Sequence, residues 1–367
     1  MKNVAKARLL VTRFPYKSRF GGEELHTITL MNEFDKKGCE AFFMGSCPIL
    51  LKEFRNAGFS ARRAWLAKPP VTKVWLLLFT LMSPILFFLA GWYLWRARMK
   101  WKVNVLYSLS FGEKLLMTPW ARLFGMKILW LEHARIGNWF YKNPWRRIYS
   151  MWSRWAKVVV TSNAMVKYLE PYVRNVTAIS CPVIVDRVSS LPANLDKKDD
   201  KFLIGTVARL TVDKGVDKIV RLVHSKPDTR LVIVGEGPLL GDIKKLADED
   251  RVTIIPSLPR EQLMALYKSL DLFILGSMEM DPFGMVAAEA MYFGAPVLMT
   301  NVCGISEDLE NGREAIIVDK KYSSMDKALK KLMRHDETRG EIAARGQAFV
   351  KKQYRLSEAI AKFEALI

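Results

Sequence analysis

The chain is predicted to be an α/β protein with two doubly wound parallel-sheet domains. Strand-like and helix-like segments alternate along its whole length, which is typical of parallel sheets with crossover helices. A chain of 367 residues is too long for one ordinary core, and half of it is hydrophobic, so two sizeable cores are expected. A polar, turn-rich stretch at 186–201 interrupts the pattern and is predicted to be the linker.

The N-terminal domain is predicted to cover 1–185. It begins with a strand at 7–14, a turn containing Gly22 and a helix to about residue 37. Its further predicted strands are 40–44, 103–109, 127–131, 157–161 and 176–179.

The C-terminal domain is predicted to cover 202–350. A C-terminal helix at 351–367 is expected to pack back toward the N-terminal domain. The predicted strands of this half are 202–210, 230–235, 252–256, 272–276, 296–300 and 314–318.

The net positive charge is confined to the first half of the chain. Residues 1–185 hold 29 Lys and Arg against 9 Asp and Glu, whereas residues 186–367 hold 28 of each, so the whole formal excess of +20 lies before the linker. All 11 tryptophans lie there too. A basic half is consistent with nucleic acid, an anionic membrane or an acidic substrate, and the tryptophans favour the membrane interface. The sequence shows no nucleic-acid-binding motif, so nucleic acid is not an expected partner.

An uncharged apolar stretch at 74–95 is long enough to cross a bilayer. Strands are predicted on both sides of it in one sheet, so both of its ends must return to one side of a membrane. We therefore predict a re-entrant or interfacial helical insertion, which Pro84 is expected to break halfway. A helix buried in the domain or in an oligomer contact is the main alternative, and a single span is the least favoured.

The four cysteines show no C-x-x-C pair and no metal-ligand spacing. We interpret them as buried or incidental thiols in a reducing compartment, and no metal site is predicted. The N-terminus lacks the short apolar run of a secretory signal.

The segment 281–297 is the most informative part of the chain. Asp281 is a good N-cap residue and Pro282 suits a first helical turn, so a helix is predicted to begin there, with Glu289 about two turns further on. Such a helix start gathers unpaired N–H groups and can hold a phosphate. An ordinary capped helix that ends at a glycine explains the same pattern.

This segment resembles the E-x7-E signature of the retaining glycosyltransferases of family 4, with Asp281 in place of the first Glu. The resemblance implies the GT-B fold, in which two Rossmann-like domains face each other across a cleft. The residues that match the family pattern are Pro282, Phe283, Gly284, Glu289, Ala290, Met291, Gly294, Pro296 and Val297.

Residues 205–217 resemble the family's G-x-x-x-R-L-x-x-x-K-G-x-D segment, in which the Arg and Lys clamp the diphosphate of the donor. The resemblance gives this role to Arg209 and Lys214, whose fixed charges stabilise a leaving diphosphate without a metal. Surface cations around a turn are the alternative. Gly235, Glu236 and Gly237 follow a strand as in the family, although a simple tight turn explains them equally well.

The resemblance is looser in the first half. Gly22 matches the family's glycine loop, where the backbone approaches the substrates, but a tight turn needs glycine as well. His133 falls at the end of a predicted strand, where ligands bind in open α/β sheets. In the family a histidine there contacts the donor sugar or phosphate, and a structural histidine is the alternative.

The resemblance implies a metal-independent, retaining glycosyl transfer from a nucleotide-diphosphate sugar, without a cofactor. Glu289 would bind the ribose, and Asp281 would bind the donor sugar. Residues 282–286, which include Val286, would hold the sugar and the diphosphate. A lipid-linked or envelope-glycan acceptor is expected, with the protein in the cytoplasm at the inner face of the cell membrane, held peripherally or monotopically. The alternatives are a nucleotide-sugar isomerase or phosphorylase of the same fold, or a non-catalytic basic protein that binds membranes or nucleic acid.

Overall fold

The computed structural model describes residues 7–16, 21–133, 137, 139–185, 188–191, 195 and 201–367. The chain forms two compact units. The first contains Met1–Ser180 and Ala359–Ile367, and the second contains Cys181–Glu358. The predicted boundaries at 185, 202 and 350 differ from these limits by 5, 21 and 8 residues. Most of the predicted linker 186–201 lies outside the described residues, so the linker stays a prediction.

The first unit is built on a parallel sheet of seven strands, in the order β3-β2-β1-β4-β5-β6-β7. Every strand predicted for this half is present, and β3 is an edge strand that the sequence analysis missed. The elements are β1 (Arg8–Arg13), α1 (Gly22–Lys36), β2 (Glu40–Gly45), α2 (Pro48–Asn56), β3 (Ser60–Arg63), α3 (Lys73–Trp101), β4 (Val105–Ser108), α4 (Phe111–Leu123), β5 (Lys127–Glu132), α5 (Trp145–Ser153), β6 (Lys157–Val160), α6 (Asn163–Leu169) and β7 (Val176–Ala178).

The apolar stretch forms one continuous helix, so the predicted break at Pro84 is wrong. Proline has no N–H to donate to the carbonyl four residues earlier, which belongs to Thr80. The hydroxyl of Ser83 donates to that carbonyl instead, at 2.8 Å. This replacement leaves no unsatisfied carbonyl at the position where the helix was expected to open.

The second unit is built on a parallel sheet of six strands, in the order β10-β9-β8-β11-β12-β13. All six strands predicted for this half are present. The elements are β8 (Phe202–Val207), α7 (Val216–His224), β9 (Thr229–Val234), α8 (Leu240–Leu246), β10 (Val252–Ile255), α9 (Arg260–Ser269), β11 (Leu272–Leu275), α10 (Met285–Tyr292), β12 (Val297–Thr300), β13 (Ile316–Val318), α11 (Tyr322–Arg334) and α12 (Asp336–Gln353). The last helix, α13 (Leu356–Glu364), begins in the second unit and ends in the first.

Both sheets are doubly wound. In each, the first strand lies in the middle and the order reverses beside it, between β1 and β4 in one sheet and between β8 and β11 in the other. Apolar side chains cover both faces of the second sheet, in one cluster that includes Phe273 and another that includes Ile274. Two Rossmann-like parallel-sheet domains were predicted, and this prediction is confirmed.

The end of the chain contributes to the first unit. The ring of Phe363 on α13 packs against those of His26 and Phe34, with centroids 6.1 and 6.4 Å apart. The side chain of Lys37 forms an ion pair with Glu364 at 2.9 Å. Residues 359–367 therefore help to close the core of the first sheet.

Candidate functional site

The carboxyl ends of β8 and β11 lie side by side where the strand order of the second sheet reverses. Open parallel sheets bind ligands at this position. Arg209 and Lys214 follow β8, and Asp281 follows β11. The structure therefore places three predicted site residues on loops at the same edge of one sheet.

The glycines after β9 allow two loops to approach each other closely. A Cβ on Gly235 would lie 1.9 Å from the carbonyl oxygen of Ala208, and Gly235 has φ of +154°. A Cβ on Gly237 would lie 2.3 Å from the carbonyl oxygen of Leu210, whose amide donates to the Glu236 carbonyl at 2.9 Å. The predicted glycine segment thus fixes the loop that carries Arg209, and the side chain of Glu236 points into solvent.

A tight turn positions Lys214. A 3₁₀ turn at Val212–Lys214 ends at Gly215, which has φ of +61°. A Cβ on Gly215 would lie 2.4 Å from the carbonyl oxygen of Gly276, just after β11. Only glycine permits this approach, so the turn that carries Lys214 lies directly against the end of the neighbouring strand.

Lys214 and Asp281 form an ion pair. Lys214 Nζ lies 2.6 Å from Asp281 Oδ2, and their side chains are 15% and 14% exposed. The side chain of Arg209 is exposed and makes no hydrogen bond or ion pair with any residue that the structure describes. The site therefore offers one cation already paired and one cation available to an anion.

The helix α10 begins at Met285, so the prediction that Asp281 caps it and Pro282 opens it is wrong. Gly284, with φ of +93°, is the N-cap residue and turns the chain into the helix. Glu289 consequently lies about one turn into the helix rather than about two.

Hydrogen bonds to a neighbouring loop explain the later start. The Asp281 amide donates to the Val302 carbonyl at 3.0 Å, and the Asp281 carbonyl accepts from the Gly304 amide at 2.8 Å. The Phe283 carbonyl accepts from the Ile305 amide at 2.7 Å. These bonds tie 281–283 to the neighbouring loop, so these residues lie outside the helix and α10 starts only at Met285.

Three consecutive amides are available where α10 begins. Among the described residues, the N–H groups of Gly284, Met285 and Val286 donate to no acceptor. The Phe283 amide, by contrast, donates weakly to its neighbour Asp281, at 3.4 Å to Oδ1. Unpaired amides at a helix N-terminus bind anions, so the predicted phosphate-binding character lies at 284–286.

Two side chains of α9 hold Glu289. Arg260 Nη1 donates to Glu289 Oε1 at 2.9 Å, and the Tyr267 hydroxyl donates to Oε2 at 3.2 Å. Arg260 also donates to the carbonyl oxygen of Ile184. Burial, and then the charge of Glu289, hold the pKa of Tyr267 well above its ordinary value, so Tyr267 stays protonated and donates.

The sequence analysis missed Arg260 and Tyr267. They are seven residues apart and therefore share one face of α9, which is a visible pattern. Their target is visible only once α9 packs beside α10.

The thiol of Cys303 lies close to Asp281 and is not a nucleophile. Burial, and then the charge of Asp281, raise the pKa of Cys303 to about 12. The thiol therefore stays protonated at neutral pH.

The first unit holds the two remaining predicted residues, Gly22 and His133. Gly22 is the first residue of α1 and is exposed. Gly21 before it is extended, with φ of −166°, so this turn does not need the left-handed conformation. Residues 17–20 lie outside the described residues.

His133 follows β5 and lies against His26, with ring centroids 4.9 Å apart. Burial lowers the pKa of His133 well below its ordinary value, and the charges of His26, Lys114 and Arg13 lower it further. Among the described residues, neither Nε2 of His133 nor either ring nitrogen of His26 has a hydrogen-bond partner. His133 is therefore neutral at pH 7, and its buried Nε2 has a hydrogen-bonding capacity that no described residue uses.

A buried charged network near the ends of β1 and β5 was not predicted. Lys114 is fully buried, and its Nζ lies 2.6 Å from the Glu132 carboxylate. Arg13 forms ion pairs with Glu24 and, at 3.1 Å, with Glu23. Burial raises the pKa of Glu23 to about 7, although the charge of Arg13 opposes that shift. In the sequence, Glu23 and Glu24 stand at a predicted helix start, and nothing in that pattern indicates that their charges are buried.

Residues 189–349 match the family model described as "Glycosyl transferases group 1". Part of the chain is 33% identical to the D-inositol 3-phosphate glycosyltransferase of Mycolicibacterium smegmatis over 130 residues. That match covers 33% of this chain and 30% of the relative, so the chain spans less than a third of that enzyme's length.

Solved structures match nearly the whole chain. The glycosyltransferase from Rickettsia africae ESF-5 matches with a TM-score of 0.79 and 18% identity, over 99% of this chain and 98% of that one. Alr3699/HepE from Anabaena, solved with UDP and glucose, matches with a TM-score of 0.79 and 15% identity, over 98% of each chain. These matches confirm the predicted GT-B fold.

Proposed function

We propose that this chain is a retaining glycosyltransferase that uses a nucleoside diphosphate sugar as donor. The observation that carries the proposal is the set of groups at the reversal point of the second sheet. The Lys214–Asp281 pair, the exposed Arg209 and the three amides of 284–286 lie there. All of them fall within the segment that matches the glycosyltransferase family model.

The diphosphate is assigned to Arg209, Lys214 and the amides that open α10. Two cations and a helix N-terminus together neutralise a diphosphate that gains charge as the sugar leaves, and they need no metal to do so. The Anabaena neighbour, which has the same fold, was solved with UDP. Lys214 must then share its charge between the diphosphate and Asp281.

Glu289 is assigned to the ribose hydroxyls. A carboxylate has about four acceptor positions. Arg260 and Tyr267 use one position on each oxygen, and they fix the plane of the carboxylate. A carboxylate whose plane is fixed in this way suits two adjacent hydroxyl donors, such as those of a ribose.

The proposed step breaks the bond between the anomeric carbon and the phosphate oxygen and forms a bond from the acceptor oxygen on the same face. The acceptor proton passes to the departing phosphate oxygen, so no protein nucleophile is required. Asp281, one methylene shorter than glutamate, is assigned to the donor sugar hydroxyls. In the first unit, neutral His133 is the proposed hydrogen-bonding group for a sugar.

The acceptor is proposed to be lipid-linked or an envelope glycan, and the location to be the cytoplasmic face of the cell membrane. The basic, Trp-rich first half supports this location, because cations and tryptophans both favour an anionic membrane interface. The uncharged length of α3 supports it as well.

The proposal is tested by thermal-shift screening with a panel of nucleoside diphosphate sugars, followed by product analysis with the best binder. We expect a donor-dependent rise in melting temperature and slow release of nucleoside diphosphate. Free isomerised sugar, or products that require inorganic phosphate, would instead identify an isomerase or a phosphorylase.

Variants then test the phosphate assignment. Arg209→Ala and Lys214→Ala are each expected to lower the rate at least about 100-fold, since each removes a cation from the developing charge. Lys244→Ala removes an exposed cation from α8 and serves as the matched control. Full activity in both site variants would contradict the assignment.

A further inference from the structure

The helix α3 has two different apolar faces. The buried face contains Phe79, Leu86, Ala90, Leu94 and Ala97. The other face carries nine large apolar side chains that are 38–71% exposed: Val74, Leu77, Leu78, Leu81, Ile85, Phe88, Trp92, Trp95 and Met99. We call these nine residues the α3 stripe.

The stripe is continuous. Apart from the adjacent Leu77 and Leu78, its members recur every three or four residues. At 3.6 residues per turn all nine fall within an arc of about 100°. From the first member to the last, the stripe is about 37 Å long at 1.5 Å per residue. Apolar surfaces of this size on a soluble protein mark an interaction site.

The opposite face is fixed to the protein. A Cβ on Gly91 would lie 2.5 Å from the ring of Trp120 on α4. The indole of Trp120 donates to the Phe87 carbonyl at 2.8 Å, and the indole of Trp145 donates to the Thr80 hydroxyl at 3.0 Å. These contacts keep α3 along the surface of its own domain.

The flanking strands exclude a crossing. β3 precedes α3 and β4 follows it, and both belong to the same parallel sheet. A helix that crossed a bilayer would place these strands on opposite sides of it. A helix that lies in the plane of a membrane surface lets the stripe leave water while the sheet stays intact.

The charges around the stripe match an anionic surface. The sequence has no Asp or Glu from residue 54 to residue 112. Arg96, Arg98 and Lys100 are exposed at the end of the helix. Arg96 lies over the Trp92 ring, 5.4 Å from its centroid. Cations beside interfacial tryptophans are typical of contact with anionic headgroups.

We propose that α3 lies in the plane of an anionic phospholipid leaflet, with the α3 stripe in the acyl–headgroup boundary and the opposite face on α4. The proposal deepens the proposed membrane location and rests on it. It concerns lipid contact alone, so it can fail while the glycosyltransferase activity stands.

The first test is flotation of the full chain with vesicles, in the absence of donor sugar. The vesicles contain either phosphatidylcholine alone or phosphatidylcholine in which a quarter of the lipid is replaced by phosphatidylglycerol. We expect binding to the anionic vesicles that weakens with salt. Replacing Leu81, Ile85 and Phe88 together with Ser is expected to lower the affinity by at least about 100-fold, since burying one such side chain contributes about tenfold or more. Unchanged binding would overturn the proposal.

A matched control replaces two exposed valines of the second unit, Val185→Ser and Val188→Ser. This variant is expected to bind vesicles like the unchanged protein. Circular dichroism and melting curves verify that both sets of variants are folded. A stripe-dependent dimer in size-exclusion chromatography, with no vesicle binding, would assign the stripe to a second copy of the chain and overturn the proposal.

The second test separates lying on a membrane from crossing it. Lys73→Cys and Lys100→Cys are made singly in a Cys39→Ser background, because the other three native cysteines are buried. With protein added to preformed vesicles, both ends are expected to react with an impermeant maleimide. Protection of one end would indicate a crossing and overturn the in-plane orientation.

Discussion

Replacing Arg260 with Ala tests whether the fold prepares Glu289 for a ribose. The Arg260 side chain is 22% exposed and donates at 2.9 Å to a carboxylate whose side chain is only 7% exposed. A hydrogen bond to a charged group contributes about 1.5–3 kcal/mol. Partial exposure of Arg260 favours the lower half of that range, about 2 kcal/mol, which equals about 30-fold in affinity.

The assay is calorimetric titration with the best-binding nucleoside diphosphate and with its 2′,3′-dideoxy counterpart. We expect the unchanged protein to prefer the ribose form, and Arg260→Ala to lose up to about 30-fold of that preference. Tyr267→Phe is expected to lose less, because the longer bond of its hydroxyl is removed while the ring packing against Phe273 remains. Arg345→Ala, which removes an exposed arginine, is the control.

Two outcomes would refute the reasoning. If Glu289→Ala abolished the ribose preference but Arg260→Ala left it unchanged, Arg260 would not position the carboxylate. If neither variant changed the preference, Glu289 would not bind the ribose at all. Melting curves distinguish either result from a loss of folded protein.

Three further predictions each concern a single residue. Gly235→Ala is expected to destabilise the second unit by about 3 kcal/mol or more in urea unfolding, because its Cβ would lie 1.9 Å from the Ala208 carbonyl oxygen. Gly241 has open space around it, so Gly241→Ala is not expected to destabilise the unit and serves as the control. Burial lowers the pKa of His26 to about 4, so the unfolded chain binds more protons and stability is lost as pH falls from about 6.5 to about 4. His26→Leu should remove on the order of 3 kcal/mol of that loss of stability. A variant whose free energy of unfolding depends on pH like that of the unchanged protein would contradict this prediction. Asp281→Glu is expected to change the preference among donor sugars in the panel, and an unchanged order would show that the shorter side chain carries no selectivity.

Local pattern was enough for most of the fold. Period-two and buried apolar runs predicted twelve strands, and all twelve are present, because parallel strands buried on both faces are strongly marked in sequence. The missed strand, β3, is the polar Ser60–Arg63 at the sheet edge. An edge strand buries little, so its sequence carries little signal.

Errors arose where hydrogen bonds to a nearby side chain or to a distant loop override local preference. Pro84 predicts a break, but the Ser83 hydroxyl satisfies the Thr80 carbonyl and the helix continues. Asp281 predicts a helix cap, but its backbone is bonded to the loop at 302–304, so the helix starts later.

The sequence alone determined the two-sheet architecture, the order of the site residues along the chain and the confinement of the net positive charge to the first half. Tertiary structure decided what each side chain meets. The Lys214–Asp281 pair joins residues 67 positions apart, and the Arg260–Glu289 pair joins residues 29 apart. Tertiary structure also decided which face of α3 is exposed. A helix that is apolar all round has no preferred buried side in its sequence, and the packing of α4 against one side leaves the other exposed.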